Sequence, residues 1–277
     1  MTNSTVSLLP TVPPPAFGRV YLMGAGPGAG DLLTVRAVRL LAHEADVVLV
    51  DDLVSQSVLD WVREGARVLK VGKRGGRAST PQDFIHRLLV RYARRGRTVV
   101  RLKGGDPCVF GRGGEEMEAL AAVGVTAEIV PGLTAGVSVP AAVGVPVTHR
   151  AYTHGVTLVT GTSGSAREPD WAALARSGTT LVVYMGLGRL LSIAGRLIAG
   201  GMRPDMPAVA IASGTLPDQA HVKASLAELP EAVTSAGLAS PVLLVIGEVA
   251  QMARQTQEIC DTLAPQIDVP LQTRCVA

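Results

Sequence analysis

Aromatic residues supply only 3% of the 277-residue chain, while hydrophobic residues supply 47%. Any core must therefore be built from Val, Leu, Ile and Ala, and the length suits one large or two medium α/β domains. Cysteine is scarce too: Cys108, Cys260 and Cys275 are odd in number and lack CxxC or His-rich spacing, which argues against a disulfide framework and a zinc site. A reducing cytoplasm is the expected location, with no metal. No stretch approaches the ~20 continuous apolar residues of a membrane helix. The segment from Met1 to Ala16 is rich in Ser, Thr and Pro without a basic start, so it reads as a flexible tail rather than a signal peptide. Charged residues make up 18% and the net charge is +3. That charge reads as spread along the chain, without the lysine or arginine block of a nucleic-acid binder, so a small acidic ligand fits better than DNA.

What the chain does have is order. From Arg19, strand-like runs at Val20 to Met23, Asp46 to Val50, Arg67 to Val71, Thr98 to Leu102 and Thr126 to Val130 alternate with segments long enough for crossover helices. One helix is expected over Pro81 to Arg95, with Thr80 as N-cap, Pro81 at the first position and Phe84, Ile85, Leu88, Leu89 and Tyr92 on one apolar face. This βαβ pattern implies a mostly parallel, buried sheet. A second series follows at Val156 to Thr160, Thr179 to Met185, Ala208 to Ala212 and Val242 to Ile246. An extra strand, antiparallel in expectation, falls within Asp218 to Ser225, ahead of a helix over Leu226 to Val233. The expected division is a tail at 1–16, an N-terminal α/β domain at 17–149, a C-terminal α/β domain at 150–260 and a tail at 261–277, with a ligand cleft between the domains.

After the first strand comes Gly24-Ala25-Gly26-Pro27-Gly28-Ala29-Gly30, and Asp51 and Asp52 end the second strand. This satisfies the form of a dinucleotide-binding loop with its ribose-binding acid. Pro27 lacks the N–H such a loop aims at a pyrophosphate, and Asp31 adds negative charge where the helix terminus should attract an anion. An uncharged or cationic ligand suits the loop better. The structural alternative is that these glycines only form a tight strand-to-helix turn.

The most informative segment is Arg101-Leu-Lys-Gly-Gly-Asp-Pro-Cys-Val-Phe-Gly-Arg-Gly-Gly-Glu-Glu116, where glycines at a strand end permit close backbone approach to a ligand. It resembles the hallmark RLKGGDPxVFGRGGEE of the uroporphyrinogen-III C-methyltransferases, within the tetrapyrrole methylase family. GAGPGxxxLLTxxA at Gly24 to Ala37, VGKR at Val71 to Arg74, VPGLTA at Val130 to Ala135, GVPVTHR at Gly144 to Arg150, VTGT at Val159 to Thr162, YMG at Tyr184 to Gly186 and SGTLPDQ at Ser213 to Gln219 follow in the family's order. The resemblance runs from about Arg19 to about Val249 and departs at two places: Cys108 stands where an aromatic is common, and Asp52 follows Asp51 where a DR pair is usual.

The resemblance implies an α/β fold of the class III methyltransferase type: two α/β domains, a homodimer and S-adenosylmethionine in the cleft, with S-adenosylhomocysteine as product. The implied cofactor contacts are Pro27, Gly104, Gly105, Asp106, Val109, Thr134, Ala135, Met185 and Gly214. The implied reaction methylates uroporphyrinogen III on rings A and B, giving precorrin-2 by way of precorrin-1. Each transfer leaves a cationic ring system that must lose a proton, so a base is useful. By resemblance Asp51 is the proton acceptor and Lys73 a proton donor, although Asp52 could take the part of Asp51. Arg112, Glu115, His149 and Arg150 would clamp the tetrapyrrole's carboxylates or act near the reacting carbon. Read without the resemblance, Asp51 is a strand-end turn acid, Lys73 and Arg112 are solvated charges, and Met185 is a core residue. The alternatives in function are another corrin-pathway methylase, an NAD-dependent oxidoreductase resting on the glycine loop, or a tetrapyrrole carrier without turnover.

Overall fold

The computed structural model describes residues 17–72, 80–162 and 168–254. The chain forms two compact units, dividing between Thr134 and Ala135.

The first unit is a parallel five-stranded sheet of β1 (Val20–Gly24), β2 (Val47–Val50), β3 (Arg67–Lys70), β4 (Val99–Lys103) and β5 (Ala127–Val130), ordered β3-β2-β4-β1-β5. Alternate residues of each strand face opposite sides of the sheet. Tyr21, Met23, Val48, Val50, Val100 and Leu102 pack under α1 (Val35–His43) and α2 (Gln56–Leu59). Val20, Leu22, Val47, Leu49 and Val99 pack under α3 (Gln82–Ala93) and α4 (Gly113–Ala121). Helices on both faces make the sheet doubly wound, which is why β1 and β2 read as continuous apolar runs. The Thr34 hydroxyl starts α1 by accepting from the Ala37 amide at 3.2 Å.

The second unit opens with α5 (Ala135–Ala142) and carries β6 (Val156–Thr160), α6 (Trp171–Ala175), β7 (Thr180–Tyr184), α7 (Leu190–Ala199), β8 (Pro207–Ala212), β9 (Ala220–Ser225), α8 (Leu229–Ser235) and β10 (Val242–Ile246). Its sheet order is β6-β7-β10-β8-β9. Only β6 and β7 run parallel, and β10 is antiparallel to both its neighbours. The extra strand is antiparallel as expected, paired with β8. The mixed character was invisible in the pattern, because β10 is buried on both faces and such a strand reads as the same apolar run in either direction.

Four expectations change. The segment 135–149 belongs with the second unit, because Val139, Val143 and Val145 pack with Val182, Val209, Ile211 and Val245; the break in pattern near Pro146 is an internal loop. Pro81, not Thr80, is the N-cap of α3, and the Thr80 hydroxyl instead donates to the Gly72 carbonyl at 3.3 Å. On that helix Ile85, Leu89 and Tyr92 are buried, with Leu88 packed beside them, but Phe84 is exposed. The charge is also less evenly spread than composition suggests: Arg87, Arg91, Arg94 and Arg95 line a groove of about 620 Å³ with His86, Val90, Ala119 and Val123. No helix among the described residues is long and apolar enough to cross a membrane.

The placement of α5 is directly testable. A fragment of residues 135–254 should unfold cooperatively in urea, whereas one beginning at residue 150 loses three buried valines. At about 1.5–3 kcal/mol each, that loss rivals the whole net stability of a domain, so circular dichroism should show no cooperative transition for the shorter fragment.

Candidate active site

In the first unit β1 and β2 are joined through α1 on one face, while β4 and β5 are joined through α4 on the other. The carboxyl ends of the strands flanking such a change of direction are where doubly wound sheets bind ligands. The ends of β1, β4 and β5 meet here backbone to backbone. A Cβ on Gly24 would lie 2.5 Å from the Gly105 carbonyl oxygen and 2.6 Å from the Gly132 amide nitrogen, so no side chain fits. The Ala25 amide donates to the Lys103 carbonyl at 2.7 Å, and Gly26 and Gly105 exchange amide-to-carbonyl bonds of 3.2 and 2.7 Å. Both glycines matching the dinucleotide form, Gly24 and Gly26, whose third position is Ala29, are thus used in strand-end closure. Half-buried Pro27 follows at the turn.

Asp106 and Gly104 sit on the same edge. The Asp106 carboxylate accepts from the Cys108 amide at 2.8 Å through one oxygen and from the Gly132 amide at 3.0 Å through the other. It therefore ties the loop after β4 to the loop after β5. Gly104 lies against Leu53, Val109 is half-buried, and Thr134 closes the unit. Cys108 is exposed. Desolvation, with the Asp106 charge adding to it, pushes its thiol up, which disfavours the nucleophilic thiolate.

Below this edge is a feature that the sequence reading missed, a buried cluster of charges. Arg101 and Lys103 occupy the middle and end of β4, facing α3 and α4. The fully buried Glu116 of α4 accepts through Oε1 from Arg101 Nε at 3.1 Å, Lys103 Nζ at 3.2 Å and Gln82 Nε2 at 2.8 Å. Arg101 Nη2 donates to Asp51 Oδ1 at 2.5 Å, and Lys103 Nζ lies 3.7 Å from Asp51 Oδ2. Burial pushes the Lys103 ammonium down, and the Arg101 charge adds to this, while Glu116 and Asp51 oppose it. Asp51 is thus the aspartate held by cations, whereas Asp52 is exposed. Lys73 lies outside the described residues.

Arg112 and Glu115 are paired with each other. Arg112 Nε and Nη2 donate to the two carboxylate oxygens of Glu115 at 2.9 and 2.6 Å, a bidentate contact between half-exposed side chains. The bond from Arg112 holds the Glu115 carboxyl below the usual range, and the same bond holds the guanidinium charged.

In the second unit three expected residues converge on α5. Ala135 begins it, the amide of the next residue, Gly136, donates to the Tyr184 hydroxyl at 2.5 Å, and Met185 follows Tyr184. Gly214 packs against Val139 of the same helix so closely that a Cβ would overlap that side chain. Met185 is 52% exposed, so the core reading fails; its sulfur accepts from the Thr162 hydroxyl at 3.8 Å. His149 and Arg150 lie between α5 and β6: His149 stacks on Tyr152 at 4.6 Å and its Nδ1 accepts from the Ala151 amide at 3.2 Å, while Arg150 is exposed.

Backbone strain marks the same loops. Among the described residues, the non-glycine positions with positive φ are Phe110, Arg112, Met185, Ser213 and Thr215, all in segments the sequence motifs singled out. Such conformations persist where surrounding structure enforces them, and they cluster at ligand sites.

A doubly wound parallel sheet with strained, glycine-closed loops at its carboxyl edge, in a chain with a second mixed α/β unit, places the protein in the two-unit α/β class, with the features of a small-molecule site at that edge. The model for Tetrapyrrole (Corrin/Porphyrin) Methylases matches residues 19–230, and the chain belongs to that family. It is 54% identical over 234 residues to the uroporphyrinogen-III C-methyltransferase of Pseudomonas aeruginosa, covering 84% of this chain and 95% of that one. It is 47% identical to the siroheme synthase of Methylococcus capsulatus, covering 87% of this chain but 51% of that protein. The uroporphyrin-III C-methyltransferase of Thermus thermophilus, solved with S-adenyl homocysteine, superposes with a TM-score of 0.73 at 44% identity, covering 84% of this chain and 99% of that one.

The bidentate pair has a measurable signature. In Arg112→Ala, the Glu115 carboxyl should titrate at higher pH by carbon-13 NMR, since the lowering bond is gone. The pair's contribution to stability is present above the unfolded-state pKa of Glu115 and is lost as pH falls through the lower folded-state value. Wild type and variant should therefore converge in stability under acid conditions.

Proposed function

We propose that this protein is an S-adenosylmethionine-dependent methyltransferase that methylates uroporphyrinogen III on rings A and B, giving precorrin-2 by way of precorrin-1. The observation that carries the reading is 54% identity to a uroporphyrinogen-III C-methyltransferase across 95% of that enzyme's length. It is supported by a strand-edge aspartate held between two buried cations. Bound S-adenosylmethionine supplies an electrophilic methyl on a sulfonium.

The residues suit such a donor. The Gly24 to Gly30 loop has Pro27 where an anion cradle needs an N–H, and Met185 offers a soft, half-exposed apolar surface. By the family resemblance, the proposed donor contacts are Pro27, Gly104, Gly105, Asp106, Val109, Thr134, Ala135, Met185 and Gly214. Asp106 acts chiefly by fixing the Gly132 and Cys108 amides, and Gly214 by admitting Val139. Arg112, with its Glu115 partner, and His149 and Arg150 would take the substrate's acetates and propionates. A substrate carboxylate reaching the fork of Arg112 displaces Glu115. Methyl transfer needs donor and acceptor held at near-attack distance, after which Asp51 takes the ring proton; Lys73 is the proposed proton donor. A homodimer in the cytoplasm completes the reading, by the family resemblance and the scarcity of cysteine; sedimentation tests the dimer.

A second reading is methylation of a later corrin intermediate, favoured by a TM-score of 0.75 and 29% identity to a cobalt precorrin-4 methyltransferase. Anaerobic incubation with uroporphyrinogen III and S-adenosylmethionine should add one and then two methyl masses. No gain there, with a gain on a corrin intermediate, selects the second reading. Arg112→Ala should raise the tetrapyrrole KM by about tenfold or more, the effect of losing a charge-assisted contact of about 1.5–3 kcal/mol. Calorimetric affinity for S-adenosylhomocysteine should stay unchanged; a large loss would put this arginine on the donor side.

A further inference from the structure

We propose that Glu116, acting through Arg101 and Lys103, is a positioning residue that fixes the Asp51 carboxylate for proton removal; this rests on the reading of Asp51 as the proton acceptor.

Glu116 is fully buried, so its role is internal. Three donors converge on its Oε1, from Gln82, Arg101 and Lys103, while Oε2 has no hydrogen-bond partner. Arg101 has all three nitrogens engaged: Nε on Glu116, Nη1 on the Leu49 and Leu102 carbonyls, each at 3.3 Å, and Nη2 on Asp51. Its plane is thereby locked by β2, β4 and α4. Lys103 faces the other Asp51 oxygen from 3.7 Å. Each oxygen of Asp51 meets one cation, and both cations are held by the same buried carboxylate.

A stability role alone does not account for this arrangement. Buried ion clusters are often replaceable by apolar side chains without loss, and one leaving a carboxylate oxygen unpartnered is poorly suited to that purpose. The cluster also ends on a partly exposed group, with the Asp51 side chain 28% exposed. In the step it serves, a ring C–H bond breaks, its electron pair returns to the cationic ring system, and the proton forms an O–H bond with Asp51. With Glu116 neutral, two cations would face a single carboxylate. The locked guanidinium would lose the anchor opposite Asp51.

The test is a double-mutant cycle on the full chain. Glu116→Gln keeps the shape but removes the charge. It should cut kcat about tenfold or more, a typical share for general-base assistance, with tetrapyrrole KM, S-adenosylhomocysteine affinity and the circular dichroism spectrum unchanged. In an Asp51→Asn background the same substitution should change kcat by less than about twofold, since its effect acts through Asp51. Arg101→Lys, which keeps the charge but cannot bridge Glu116 and Asp51 together, should resemble Glu116→Gln. If Glu116→Gln fails to fold, Lys103→Met takes its place in the cycle. An unchanged kcat in a folded Glu116→Gln protein, or an equal loss in both backgrounds, overturns the proposal. The Asp51→Asn variant alone tests the underlying reading: full turnover there removes Asp51 as the acceptor, a result separable from the cycle.

Discussion

An arginine in the middle of a central, fully buried strand is the constraint around which the first unit is built. A charge there is tolerated only when paired and hydrogen-bonded, because leaving one partner alone in such a place typically costs about 3–5 kcal/mol. Arg101 meets the condition with a carboxylate from α4, two carbonyls and Asp51. That set fixes where α4 must start, which residue of α3 approaches it, and which end of β2 carries an acid. The helix start in turn sets the left-handed turn at Arg112 and the pairing of that arginine with Glu115.

The glycines answer to a second constraint, distance. The ends of β1, β4 and β5 approach one another more closely than any Cβ allows, so these positions are glycine whatever ligand is bound. This explains how a dinucleotide-like spacing arises in a tetrapyrrole methylase: the pattern reports backbone closure at a sheet edge, and the chemistry is decided by neighbours. Here those neighbours are a proline without a donor, an aspartate tying two loops together, and a buried charge cluster. Similar economy shows in the second unit, where the approach of Gly214 to Val139 and the bond from Gly136 to Tyr184 gather Ala135, Met185 and Gly214 around one helix.

The sequence alone determined much about this protein. Apolar or alternating runs of strand length located every strand of both sheets to within two residues at either end, because most of these strands are buried and leave a strong compositional trace. Ordered motifs named the family, and that resemblance put forward Asp51, Arg112 and Met185 for the site. Tertiary structure decided what periodicity does not encode. The direction of β10 and the allegiance of residues 135–149 depend on which surface each apolar face meets. That Asp51 and not Asp52 meets the buried Arg101 depends on a pairing 50 positions along the chain. The roles of Arg101, Lys103 and Glu116 were hidden in plain view inside the most informative motif. A charged residue flanking a glycine-rich run reads as solvated or ligand-facing until the fold shows it buried against its opposite.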